Sequence, residues 1–371
     1  MSDVGGRDDL EALTPEREHA LTFRWDDLPA VTSDLPGIGG RIRAESDDFD
    51  VREIPAYLPE GRGSHTYVRV EKVGLTTRDV VVALIAAGVP DRAVGVAGLK
   101  DKLARTEQWL SIPNAHADAV SALEATPGVR VLEVSRHRNK LGIGHLRGNR
   151  FRIRVRGVSA GAGERARSIL AALAARGAPN YVGPQRFGRF GRNAVDGYRE
   201  VHGQVMPGGP RLRRFFVAAL QSQIFNALLA GRVRDGRFAT VVAGDWARKH
   251  DTGGTFEVLD AAAEAPRALA LAISATLPLY GSKVRPSGQA AGADEAAQLR
   301  RLGLRWEQFR ARRGDRRITR LVDLDATVED EPEIAALTLA FTLPKGSYAT
   351  TLVREITKVA VDAPLDASGD G

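Results

Sequence analysis

The chain of 371 residues is 43% hydrophobic and 27% charged, the balance of a soluble globular protein with length enough for two domains. It has no cysteine, which excludes disulfides and thiolate metal sites, and its seven histidines show no paired-ligand spacing, so no metal is expected. Net charge is +7, but residues 1–36 carry −6 and residues 321–371 carry −7, which leaves +20 on residues 37–320. A body so rich in arginine is the footprint of a polyanion binder, nucleic acid first, the other reading being a merely basic protein. No apolar run approaches the ~20 residues that span a bilayer, and no basic-then-apolar leader is visible, so the expected location is the cytoplasm without membrane attachment.

In chain order, residues 1–36 are acidic and aperiodic, which predicts a flexible tail that Phe23 and Trp25 could tack onto the body. Alternation from Arg41 to Ile54 predicts a strand, and Ser64 to Val70 a second one. Thr76 and Asp79 have capping-box spacing before the apolar run Val80–Ala87, a helix that Gly88 stops. Val94–Ala97 and Thr106–Ile112 read as strands on either side of a polar loop, Gly98-Leu99-Lys100-Asp101-Lys102. A carboxylate between two lysines, with Arg105 close behind, suits a nucleophile or a base, and the cations suit phosphate. An Asp that caps a turn or makes a surface ion pair fits the same residues. A weak helix near 115–125 and a strand near Val129–Val134 follow.

Arg150-Phe151-Arg152-Ile153-Arg154-Val155-Arg156 alternates without a break, which puts three apolar side chains on one strand face and four arginines on the other. Such a row needs an anion opposite it: an RNA backbone, or carboxylates of a neighbouring strand. Glu164–Arg176 predicts an amphipathic helix, after which the texture turns glycine-, arginine- and aromatic-rich through residues 179–191. A long helix is expected from about Arg213 with Gly231 after its end, a basic helix near 295–313, a buried strand over Ala335–Leu343 and a helix over Tyr348–Val359.

With these elements in place, GLKDKLARTEQWLS at 98–111 resembles the catalytic loop of the TruD family of tRNA pseudouridine synthases, roughly G-x-K-D-x-x-A-x-T-x-Q-x-x-S. Four further segments match in the family's order: Glu45–Glu53, HRNKLGIGHLRGNRF at 137–151, PNYVGPQRFG at 179–188 and LPKGSYATTLVRE at 343–355. The resemblance implies a mixed α/β (α+β) pseudouridine-synthase fold around a mostly antiparallel central sheet. It implies a catalytic domain over 37–176 that resumes at 323–360, an inserted α/β TRUD domain over 177–322, and a disordered tail over 361–371. It makes Asp101 the catalytic carboxylate and Phe49, Asn149, Phe151 and Tyr348 the substrate-binding residues, Tyr348 standing where many members have phenylalanine. Lys100, Arg150, Arg152, Arg154 and Arg186 are expected to hold RNA backbone.

The reaction so implied isomerises a uridine of tRNA, uridine 13, without cofactor, by a monomeric enzyme whose partner is tRNA. Two other readings compete: a non-catalytic RNA-binding or RNA-folding protein of the same fold, and a glycoside hydrolase in which a second carboxylate such as Glu53 would pair with Asp101.

Overall fold

The computed structural model describes residues 13–361; the expected C-terminal tail from 362 onwards, and residues 1–12 of the acidic N-terminal segment, lie outside the described residues. The first seven strands, in chain order, are β1 (Gly39–Arg41), β2 (Phe49–Pro55), β3 (His65–Val73), β4 (Gly95–Val96), β5 (Arg105–Pro113), β6 (Val129–His137) and β7 (Leu146–Val158). Then come β8 (Ala178–Pro179), β9 (Trp246–Lys249), β10 (Thr255–Glu257), β11 (Ile273–Leu279), β12 (Asp315–Ile318) and β13 (Arg320–Leu321). The last two are β14 (Thr327–Glu331) and β15 (Ala336–Pro344). The described residues form two compact units, one of residues 37–167 with 323–349, the other of residues 168–322 with 13–36 and 350–361.

The first unit is built on a nine-stranded sheet in the order β14-β15-β7-β2-β5-β3-β6, with β1 beside β7 and β4 beside β5. Only the β2–β5 pairing is parallel, which makes this the mixed, mostly antiparallel α/β sheet expected. β7 is its longest strand at 13 residues, because the unbroken alternation of residues 150–156 lets one face meet the core while the other carries charge. Phe151, Ile153 and Val155 are buried on that inner face. The helix Thr77–Ala86 starts where the sequence places it: Thr76 Oγ1 accepts from the Asp79 N–H at 3.1 Å, and the Asp79 carboxylate accepts from the Thr76 N–H at 2.6 Å. Its Val80, Val81 and Leu84 pack on Val68, Val70, Leu110 and Ile112 of β3 and β5. Burying three such side chains contributes roughly 1.5–3 kcal/mol each. The weak helix near 115–125 is a 3-10 turn followed by the five-residue helix Val120–Glu124.

The second unit centres on the helix Pro210–Arg234 and a four-stranded sheet in the order β10-β9-β11-β12, with β8 and β13 as a separate two-stranded ribbon. Gly231 does not end the long helix. One residue on, Arg232 forms a buried ion pair with Asp245, 2.9 Å at its longer contact, and this tertiary contact carries the helix on to Arg234. The basic helix is also displaced: it spans Gln289–Arg301, and Gly303 in the left-handed region closes it. Residues 13–36 are not a flexible tail. A helix spans Pro15–Leu21, Leu21, Trp25 and Leu28 are buried, and Phe23 stacks on Phe187 with ring centroids 4.7 Å apart. The segment is held by these separate anchors rather than by an amphipathic stripe, so periodicity does not reveal it. No helix among the described residues is long and apolar enough to cross a membrane.

Candidate active site

Asp101 lies in the loop between β4 and β5, and its side chain is 51% exposed. Its Oδ2 accepts from Arg43 at 2.7 Å, and Arg43, 5% exposed, lays its guanidinium 4.2 Å over the ring of Phe49. A single arginine therefore joins the carboxylate to an aromatic at the start of β2. Arg43 adopts φ +59°, a left-handed backbone that a bulky residue rarely adopts. This places its side chain under the loop 58 residues away.

The backbone of the loop is fixed from below. Lys72, fully buried on β3, donates to the Asp101 carbonyl at 2.9 Å and also to the Leu75 carbonyl. Burial pulls the Lys72 amine down to about 8, against the opposing attraction of Asp101. The Lys100 N–H donates to Thr77 Oγ1 at 2.8 Å, and that hydroxyl donates to Gln108 Oε1 at 2.8 Å, so the first turn of a helix anchors the loop.

The sheet face beneath carries the remaining residues. Phe49, Val51 and Glu53 alternate onto one face of β2, and the β2–β7 register sets Phe151 beside Val51 and Asn149 beside Glu53. Phe49 and Phe151 meet edge to face at 6.3 Å, and Phe151 stacks on Phe341 of β15 at 5.4 Å. Asn149 Oδ1 is buried without a partner, as are Gln108 Nε2 and Thr106 Oγ1 of β5. All three lie on the strands that carry Phe49 and Phe151 or on the neighbouring β5, each with hydrogen-bonding capacity left over. Tyr348 is half-buried, five residues beyond Leu343, the register neighbour of Asn149 on β15.

Other expected positions fall elsewhere. Lys100 does not face a phosphate: its amine is buried 2.9 Å from the Glu53 carboxylate, itself 1% exposed. The same pair removes Glu53 as a second acid for Asp101. Arg105 is taken by Asp47 at 2.7 Å and Glu71 at 3.1 Å, so the cation beside Asp101 is Arg43, not its sequence neighbours. Arg150, Arg152 and Arg154 lie on the face of β7 opposite Asn149 and Phe151, and carboxylates meet them. Arg150 reaches Asp325 at 3.4 Å, Arg152 reaches Glu329 at 2.5 Å and Arg154 reaches Glu331 at 2.8 Å. Arg156 closes the row on the fully buried Asp48 at 2.8 Å. Within the chain, the anion opposite the row is therefore a set of its own carboxylates, with the Arg150 and Arg152 pairs exposed at the surface. Arg186, in the other unit, lies 5.2 Å over the ring of Phe215. Sequence reading missed Arg43 and Lys72; the alternation Arg41-Ile42-Arg43 signals a polar face, but no local pattern says which loop that face meets.

The profile of tRNA pseudouridine synthase D (TruD) matches residues 27–195 and 200–356. The chain is 50% identical over 357 residues to a tRNA pseudouridine synthase D of Thermus thermophilus, covering 94% of this chain and 99% of that one. It is 49% identical over 346 residues to a protein of the same name from Anaeromyxobacter dehalogenans, at 91% and 99% coverage. The crystal structure of a putative tRNA pseudouridine synthase D from Methanosarcina mazei superposes with a TM-score of 0.71 at 25% identity, over 94% of this chain and 99% of that one.

Proposed function

Since this chain belongs to the tRNA pseudouridine synthase D family, enzymes that isomerise uridine in tRNA to pseudouridine, we propose that it acts on uridine 13 with Asp101 as its catalytic carboxylate. The observation that carries the assignment is the half-exposed Asp101 side chain fixed through one oxygen by the buried Arg43, whose guanidinium also covers Phe49. The reaction breaks the bond from C1′ to N1, turns the uracil and forms a bond from C1′ to C5. The C5 hydrogen leaves as a proton and N1 takes one up, so atoms balance without a co-reactant. Arg43 orients the carboxylate through Oδ2 and balances its charge, which leaves Oδ1 to act on the sugar–base unit.

The target base must leave its stack, at a cost of a few kcal/mol. Phe49, Phe151 or Tyr348 is proposed to offset this by stacking on the base or filling the gap it leaves, worth roughly 1–3 kcal/mol per stacked base. Asn149, whose buried Oδ1 lacks a partner, would pair with the imide edge of uracil, a donor flanked by acceptors. Residues 37–176 with 323–360 are proposed as the catalytic domain and 177–322 as its insertion. The test is tritium release from tRNA transcripts labelled at C5 of uridine. Wild type should release tritium, a transcript with cytidine at position 13 should release one equivalent less, and Asp101→Ala should bind tRNA without release. Full release by Asp101→Ala would remove Asp101 from its role, and an unchanged yield from the cytidine transcript would move the target.

A further inference from the structure

In the unit of residues 168–322, a cleft of about 830 Å³ opens on the solvent face of β9 and β12. That volume is within the ~300–1,000 Å³ usual for ligand sites. Strand alternation builds its floor: Ala247 and Ala275 turn into the core, so Trp246 and Arg248 turn out. The indole Nε1 donates to the Pro286 carbonyl at 3.0 Å, which holds the ring, and Arg285 lies 5.2 Å over it.

The walls are brought together by backbone contact that only glycine permits. A Cβ on Gly281 would lie 2.4 Å from the Gly314 nitrogen, and Gly314 sits at φ +68°. Lys283 N–H then donates to the Arg313 carbonyl at 2.8 Å, which aligns Lys283 and Arg285 on one wall with Arg313 on the other. Arg316 fixes the corner: it pairs with buried Glu295 at 2.7 Å and donates to the Arg285 carbonyl at 2.9 Å. It is a strut, not a free cation.

Arg248, Lys283, Arg285 and Arg313 differ from it. No carboxylate pairs with any of the four among the described residues, and Asp315 is the single acid in the lining. Like charges held by tight backbone packing around an indole suit a ligand that brings both negative charge and a flat ring. A phosphodiester strand with an unstacked base has both. We infer that this cleft binds a single-stranded or looped segment of the RNA substrate, its phosphates on Arg248, Lys283 and Arg313 and one base stacked at Trp246 and Arg285. The inference rests on the reading of the chain as a tRNA-modifying enzyme.

The test measures tRNA affinity of the full chain against salt concentration. Lys283→Ala/Arg313→Ala should bind about tenfold more weakly near 0.15 M salt, with the slope of log K against log salt reduced by about 1.5. Arg300→Ala/Arg301→Ala removes the same charge from the helix Gln289–Arg301 and should keep the wild-type slope. Trp246→Leu should weaken binding and Trp246→Tyr, which keeps a stacking ring, should restore it. Unchanged affinity and slope in the first variant would overturn the site, and so would an equal loss in both double variants, since that is a net-charge effect. Failure of the wild type to bind tRNA at all would instead overturn the functional reading, and this inference with it.

Discussion

The outer face of β7 and the cleft at Trp246 are both crowded with arginine, yet their electrostatics are opposite. On β7 the cations face Asp325, Glu329, Glu331 and Asp48, and the row is neutralised within the fold. Thr338 and then Arg154 hold Glu331 below its ordinary carboxylate value, the mark of an acid already in use. In the cleft the cations have only Asp315 for company, and glycine contacts rather than counter-charges hold them in place. Arginine density therefore says little about binding until the acids have been counted in space. A paired row is neutral within the fold; an unpaired set leaves its charge facing solvent.

A fully buried pair, Lys100 with Glu53, offers the strongest test of that distinction. Lys100→Met should strand the Glu53 carboxylate in the core and cost about 3–5 kcal/mol in denaturant unfolding, while Lys100→Met/Glu53→Gln should recover most of it. If the single change costs nothing, pairing does not govern this molecule. Next in size, Glu329→Gln/Glu331→Gln should turn the β7 row into something like the cleft. Stability should fall by about 1 kcal/mol, and the salt slope of tRNA binding should steepen by roughly 1 as Arg152 comes free and Arg154 keeps only its 3.7 Å contact with Asp48. An unchanged slope would mean that RNA does not reach this face even when it is charged.

Lys72 supplies a pH-dependent version. Its folded value of about 8 lies below the ordinary 10.5 because burial disfavours the charged amine. The unfolded chain therefore holds the proton more tightly, and this residue's contribution to stability rises with pH from about 8 to 10.5. Lys72→Met should flatten the rise in thermal stability across that window; an identical profile would place the titration elsewhere. The smallest effect is expected from Arg152→Ala, less than 1 kcal/mol in stability with tRNA affinity unchanged, because an exposed pair at the sheet surface contributes little.

Much of this was legible in the sequence, and the illegible part has a common cause. The capping box at Thr76, the alternation of β7 and the polar loop around Asp101 are local patterns, and each element formed where its pattern lies. The distribution of charge along the chain likewise marks residues 37–320 as basic. What could not be read is partnership across distance. Arg43 meets Asp101 58 residues away, and Arg152 meets Glu329 177 residues away. The same limit explains the long helix that runs past Gly231, since only the fold supplies Asp245 to Arg232. At the site, Phe49, Asn149 and Phe151 gather on one face because period two and the β2–β7 register act together, whereas Lys100 points inward to an acid no spacing rule names.

The partners of the β7 row also arrive late. Arg156 can close on Asp48 as soon as β7 exists, but the acids for Arg150 and Arg152 lie on and just before β14, which begins at Thr327, far beyond the end of β7 at Val158. At roughly 5–20 residues per second, a ribosome needs on the order of 10–30 s to make the intervening chain. For that interval Arg152 has only Asp50, its register partner on β2, and Arg154 only the longer 3.7 Å contact with Asp48, so the outer face of β7 becomes fully neutralised only when β14 supplies the remaining acids.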